Sequence, residues 1–334
     1  MPTLEQVAKV AGVSRTTVSR YLNRSGYVGQ ETAKKIEEAI RKLGYYPNRI
    51  ARSLVQKKTG NIALVVSDIF NPITAGYSRG VEDGAFKYGY NMVLCNTNFD
   101  LEREKKVVRA LLEKQIDGII IAPCQKGESH ILEIKKRGIP FVFLTRRIPN
   151  IKADYVRFDY VKGSFQVVEY LIKLGHKRIG IISPFIPSGE KEERIHGYLA
   201  ALRKYGLKPD PSLILFDRAI EGIGYEKAKV FMSMPSPPTA IFAAVNLFAK
   251  DILFYCKENN IQLPQDLSLS SFECFPHYDS IISPLITANE MPAYELGKTA
   301  AEVLFTRINH KDGNFKDIKL PGKLRVGEST GPLS

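Results

Sequence analysis

Cysteine is scarce in this sequence and never closely paired: the four present, Cys95, Cys124, Cys256 and Cys274, are widely spaced, with no CxxC among them. That argues against a zinc ribbon or a disulfide scaffold and reads as reduced core or pocket thiols. Five scattered histidines make no metal pattern, so no metal or other cofactor is expected. His176 reads as a surface or capping residue. No apolar run reaches the ~18 residues of a membrane span and no basic-then-apolar leader follows Met1, so no membrane association is expected and the chain is placed in the cytoplasm. A GxGxxG after a strand, GxxxxGK[ST] and GxSxG are all missing, and the chain is not read as an enzyme. Nor is there an apolar heptad tail before Ser334 of the kind that builds a tetramer.

What is present begins at Thr3. Thr3 followed by Gln6 is a capping box, and Leu4, Val7, Ala8 and Ala11 then recur at helical spacing as one buried stripe. Gly12 supplies a sharp turn and Ser14 an N-cap for a second helix. On that helix Val18 and Leu22 face inward, whereas Arg15, Thr16, Ser19 and Arg20 share the opposite face. Such a face suits base edges: arginine can fork to guanine in the major groove, and threonine offers a hydroxyl or a methyl. Ile36, Ala39, Ile40 and Leu43 give a third stripe that closes a three-helix core. Charge is concentrated in the same place, since residues 1–60 hold 12 Lys+Arg against 4 Asp+Glu, a net of +8 out of the chain's +13. A basic head on a milder body is the footprint of a phosphate-backbone binder.

The remaining 274 residues alternate strand-like runs (Ile62–Val66, Met92–Cys95, Gly118–Ala122, Phe141–Leu144, Arg178–Ile182, Ala240–Ala243, Leu267–Phe272) with helical stretches. Alternation of this kind predicts parallel sheets with helices on both faces, and the length predicts two α/β lobes with a ligand cleft between them.

The head, the run Gly44-Tyr-Tyr-Pro-Asn-Arg-Ile-Ala-Arg-Ser-Leu54, Asp68-Ile-Phe-Asn-Pro72, Gly89–Asn96, Asp117-Gly118, Leu174-Gly-His-Lys-Arg178, Pro238–Phe242 and Glu328-Ser-Thr-Gly-Pro332 occur in one order. Together they resemble the lactose-repressor family of bacterial transcription regulators over essentially the whole chain. The resemblance implies a small all-α helix-turn-helix head plus an α/β two-lobed periplasmic-binding-protein-like (type I) body. It implies a DNA-binding domain over 1–46 and a hinge helix and linker over 47–60. One lobe then spans 61–160 with 291–321 and the other 161–290 with 322–334, the chain crossing near residues 160, 290 and 322.

Operator DNA, a small-molecule effector and a second copy of the chain are the implied partners. Ser14, Arg15, Thr16, Thr17, Ser19, Arg20, Asn23 and Arg24 are the expected DNA contacts of the head, with Asn48, Arg49, Ala51 and Leu54 in the hinge. Leu54 matches the leucine that wedges into the minor groove, a bend that costs unstacking but brings more protein onto DNA.

For the cleft, Arg194 matches the family arginine that reaches from a helix start into the pocket, where it can fork to hydroxyls or a carboxylate. Arg146, after Phe141–Leu144, faces the cleft or forms an interlobe salt bridge. Asp68 either accepts hydroxyls or caps the helix after Pro72. Ile73, Thr74, Cys124, Thr145, Asn246 and Glu273 complete the expected effector contacts. Several depart from relatives, which carry Asp for Thr145 and for Glu273, Asn-Asp for Val245-Asn246 and an aromatic pair for Ile73-Thr74. With two arginines kept and fewer acids, the effector is read as sugar-like and anionic. The alternatives are a solute-binding receptor of the transport type, which has no use for residues 1–60, and a regulator of the same family controlled by a protein partner.

Overall fold

The computed structural model describes residues 2–23, 25–45, 58–124, 127–184, 193–274, 284–310 and 313–333. They form two compact units, Met1–Gly60 and Asn61–Ser334. The first holds α1 (Leu4–Ala11), α2 (Arg15–Asn23) and α3 (Gln30–Leu43). The capping box at the start of α1 is reciprocal: the Gln6 amide donates to Thr3 Oγ1 at 3.3 Å and the Thr3 amide to Gln6 Oε1 at 2.8 Å. Gly12 ends the helix at φ +66°, a left-handed backbone that favours glycine. Val7, Ala8, Ala11, Val18, Ile36 and Ala39 are buried together with Tyr45. Leu4, Leu22, Ile40 and Leu43 pack half-buried around them.

In the second unit strands and helices alternate through β1 (Asn61–Val66), α4 (Pro72–Lys87), β2 (Asn91–Asn96), α5 (Leu101–Glu113), β3 (Gly118–Ile121), α6 (Ser129–Lys136), β4 (Phe141–Leu144) and β5 (Asp154–Phe158). The order continues with α7 (Tyr160–Lys173), β6 (Ile179–Pro184), α8 (Glu193–Lys204), β7 (Ile214–Asp217), α9 (Ile223–Met232), β8 (Ala240–Ala243), α10 (Asn246–Glu258), β9 (Ser268–Cys274) and β10 (Thr287–Glu290). It closes with α11 (Ala293–Asn309), β11 (Asp317–Leu320) and β12 (Lys323–Arg325). One sheet has the order β11-β5-β4-β3-β1-β2, and the other β12-β10-β9-β8-β6-β7. All pairings are parallel except β10 with β12. The chain therefore leaves the first sheet after β5, returns to it after β10 and leaves again between β11 and β12. Central strands are buried on both faces, as a parallel sheet under two helical layers requires; Ile62, Ala63, Leu64, Val65 and Val66 are all fully covered. No described helix is long and apolar enough to cross a membrane.

The two segments of the first lobe are joined by close helix packing. On α4, Gly76, Gly80 and Gly84 lie against Ala293, Tyr294 and Ala301 of α11, and Gly297 answers from the other side. A Cβ at Gly297 would stand 1.9 Å from the Tyr77 carbonyl oxygen. The end of α11 is tied to β5 by a fork from Arg307, whose Nε and Nη2 donate to Asp154 at 2.6 and 3.1 Å.

In the second lobe His176 corrects the expectation of a surface or capping residue. It is buried, with Thr239 Oγ1 at 2.9 Å from Nδ1 and with Ser268 Oγ and the Gly331 carbonyl at 3.0 and 3.1 Å from Nε2. The motif Leu174–Arg178 thus meets the closing motif Glu328–Pro332, where Ser329 and Thr330 also bond to Leu269 and Thr287. Burial lowers the His176 pKa below its ordinary value. The unfolded chain then binds a proton that the folded chain refuses, so the neutral ring's contribution is complete above about pH 6.5 and is lost as pH falls below it. The melting temperature should drop more steeply between pH 7 and pH 5 for the wild type than for His176→Gln, which has no titrating ring. Parallel curves would overturn this assignment.

Candidate functional site

The outer face of α2 is what the first unit offers to a ligand. Its start is fixed by Ser14, whose Oγ accepts from the Thr17 amide at 3.0 Å and lies 2.8 Å from Thr17 Oγ1. Val18 is buried at the centre of the head, which turns Arg15, Thr16 and Arg20 outward and exposed, with Ser19 half-exposed beside them. Asn23 Nδ2 donates to Ser19 Oγ at 3.2 Å. Tyr21 donates to Glu37 and so pins α2 to α3. The predicted DNA residues therefore divide: Ser14 and Thr17 cap, Ser19 and Asn23 brace each other, and Arg15, Thr16 and Arg20 project. Arg24, Asn48, Arg49, Ala51 and Leu54 lie outside the described residues.

In the body, Arg194 occupies the second position of α8. It is buried, with its guanidinium carbon 4.5 Å from the Tyr160 ring centroid and 4.8 Å from that of Phe272. Glu273, at the end of β9, approaches Arg194 Nη2 at 3.6 Å. Both are in the second lobe, as is Asn246, half-buried at the first position of α10.

Across from them the first lobe contributes Asp68, Thr74 and Arg146 around Tyr77. The Tyr77 hydroxyl is 2.9 Å from Thr74 Oγ1. Burial raises its pKa to about 12, and Tyr160, Arg146 and Asp68 all lie near enough to act on it electrostatically. Tyr77 and Tyr160 thus bridge the two groups of predicted residues.

Asp68 is not the cap of α4. Its Oδ1 accepts from the Phe70 amide at 2.9 Å, whereas Asn71 caps the helix through the Ile73 amide at 3.1 Å. Arg146 forms no ion pair among the described residues. It is exposed, following Thr145 in a tight turn in which the Arg146 amide donates to the Leu144 carbonyl at 2.6 Å. Thr145 stands at φ +58°, uncommon for a β-branched residue and a form of strain that gathers at functional sites. Ile73 is partly buried against the core.

Cys124 is buried, and its thiol is directed at Glu104 and Thr97. Its amide donates to Glu104 Oε2 at 2.9 Å, and His130 Nε2 lies 2.7 Å from the other oxygen. Burial, with the Glu104 charge beside it, pushes the thiol up to about 12, so it is held as an unreactive SH. Among the described residues no cluster of His, Cys, Asp and Glu could hold a metal ion.

Sequence patterns missed Tyr77, Tyr160 and Phe272, because aromatic residues at helical or strand spacing read as core. The interlobe ion pair missed with them belongs to Arg157. This side chain of β5 donates to Glu193 of α8 at 2.6 and 2.7 Å and to Asp317 of β11 at 2.9 and 3.2 Å.

Two sequence profiles cover the chain. Residues 59–326 match the periplasmic binding proteins and sugar binding domain of the LacI family, and residues 3–48 match the bacterial regulatory proteins of the lacI family. The chain belongs to the LacI family. A probable HTH-type transcriptional regulator, EndR of Paenibacillus polymyxa, is 35% identical over 322 residues, covering 95% of this chain and 93% of that one. Among solved structures, a transcriptional regulator CelR–cellobiose complex superposes with a TM-score of 0.73 at 27% identity, covering 98% of this chain and 100% of that one. The Lac repressor dimer bound to operator and the anti-inducer ONPF shares the fold at a TM-score of 0.86, 23% identity and 99% coverage of both. The chain is a transcription regulator with a DNA-binding head and a type I two-lobed body, and the receptor reading falls with the assignment of residues 3–48.

Proposed function

We infer that this LacI-family regulator is a cytoplasmic, dimeric repressor of carbohydrate-related genes whose hold on a near-palindromic operator is set by a small sugar-like molecule in the interlobe cleft. The observation that carries the effector reading is the meeting of Arg194 and Glu273 from one lobe with Tyr77, Asp68 and Arg146 from the other, with Tyr160 at the crossing between them. Arg194 is partnered by Glu273, so these two present a donor fork and an acceptor suited to ring hydroxyls. Arg146 is exposed and brings a cation to the same cleft, which favours a phosphate or acid group on the sugar.

Arg15 and Thr16 read bases, while Arg20 and Arg24 hold phosphates. The proposed division is a head over 1–46, a hinge over 47–60, and lobes over 61–160 with 291–321 and 161–290 with 322–334, in keeping with the membership of the two sheets. Dimerisation is supported by apolar residues left open along one edge strand of each sheet and beside them: Val93 and Leu94 on β2, Phe216 on β7, Ile220 after it and Phe254 on α10.

A thermal-shift panel of glucose, cellobiose, ribose, gluconate and glucose 6-phosphate on the full chain tests the effector, because a ligand of the folded state raises the melting temperature. An anionic member should give the largest shift. Arg194→Leu should erase every shift, and Arg146→Gln only the preference for the charged sugar. A neutral sugar favoured over its phosphate or acid would sink the charge assignment, and silence across the panel would move regulation to a protein partner.

A further inference from the structure

Arg157 joins more than two carboxylates. Its guanidinium carbon lies 5.2 Å from the Tyr155 ring centroid, and Arg147 covers the same ring at 5.7 Å. The Tyr155 hydroxyl in turn donates to the Thr145 carbonyl at 2.8 Å, inside the strained turn that carries Arg146. On the other side, Glu193 is the residue immediately before Arg194. A continuous path of bonded and stacked groups therefore runs from the start of α8 in one lobe, through Glu193, Arg157 and Tyr155, to the Thr145–Arg146 turn in the other. Arg157 is nearly buried, its side chain 10% exposed. Burial works against its charge, but the bonds to Asp317 and Glu193 outweigh that and raise its pKa on balance.

We propose that Arg157 is a positioning residue that sets both cleft arginines at once, with Glu193 as the charged contact through which the two lobes sense each other. Asp317 holds Nε and Nη2 of the guanidinium within the first sheet, so the remaining nitrogen, Nη1, is aimed at the second lobe, where it meets both oxygens of Glu193. When the lobes part, that pair breaks. The first turn of α8 then loses its anchor, and the Tyr155 ring loses the arginine that steadies it over the turn. The assignment rests on Arg146 and Arg194 facing the effector, but the mechanical link does not need an effector to be seen.

Hydrogen exchange on the full-length protein without ligand tests the link. Glu193→Gln keeps the shape of the side chain and removes its charge. Exchange should rise about tenfold both at residues 193–198 and at residues 145–147 in the opposite lobe, with α6 unchanged. Glu193→Asp, which retains the charge, should restore most of the protection in both places. Tyr155→Phe should loosen 145–147 alone. Loosening confined to 193–198 in Glu193→Gln, or no rescue by aspartate, would overturn the proposal. Exchange that behaves as expected beside a silent sugar panel would leave the clamp standing and remove the effector reading instead.

Discussion

Arg15→Ala is expected to redirect operator choice, while Arg20→Ala weakens every sequence alike. Arg15 is the first residue of α2 and is exposed, on a helix whose start is held by Ser14 and whose inner side is fixed by Val18, so its guanidinium projects from a rigid base. A forked contact to a base edge contributes about 1–3 kcal/mol of discrimination. A dimer on a two-fold operator loses it twice, about 2–6 kcal/mol, or roughly 30-fold to beyond 10⁴-fold in affinity for the preferred site. Arg20 stands one turn further on, with its stem against Gly26, where an added Cβ would come within 2.9 Å of Arg20 Cδ. That places it to reach phosphate, so its loss should lower the salt slope by about one per head without changing sequence preference. Fluorescence anisotropy with a set of half-site variants at several salt concentrations separates the two. Equal effects of both substitutions on all sequences would show that α2 does not read bases through Arg15.

The head was legible because everything that shapes it is local: a capping box, a glycine at a left-handed turn and three stripes at helical spacing, all within 43 residues. The central strands were legible for a similar reason, since fully covered parallel strands read as unbroken apolar runs. β5 was not. Asp154 and Arg157 interrupt its pattern, and both are made tolerable by partners far along the chain, Arg307 and Asp317 for the strand's own lobe and Glu193 for the other. β12 has three residues, two of them charged, and exists because β10 offers it an antiparallel edge. His176 misled for the same reason as β5: its partners Thr239, Ser268 and Gly331 lie 63 to 155 positions away, so nothing near it in sequence marks it as buried. Of the two arginines proposed for the effector, Arg194 was found through the family resemblance and Arg146 by its place after a strand, whereas the tyrosines that connect them were hidden among ordinary core residues.

Gly297→Ala is expected to cost the body more than removal of any surface ion pair. The new Cβ would stand 1.9 Å from the Tyr77 carbonyl oxygen and 2.7 Å from its carbon, both backbone atoms of a packed helix that cannot turn aside as a flexible side chain would. Relief requires α4 and α11 to separate along a seam where Gly80 is equally tight, with 2.1 Å to the Tyr294 carbonyl oxygen. Overpacking of this severity destabilises by about 3 kcal/mol or more, which in a body of this size lowers the melting temperature by roughly 6–12 °C. The damage should reach function as well, because α4 carries Thr74 and Tyr77 of the proposed effector site and α11 begins where the chain returns to the first lobe. Calorimetry should therefore show the depressed melt together with a weaker response to whichever sugar shifts the wild type. A melt within about 1 °C of the wild type would mean that the two helices part freely, and that the glycine seam is not what holds the discontinuous first lobe together.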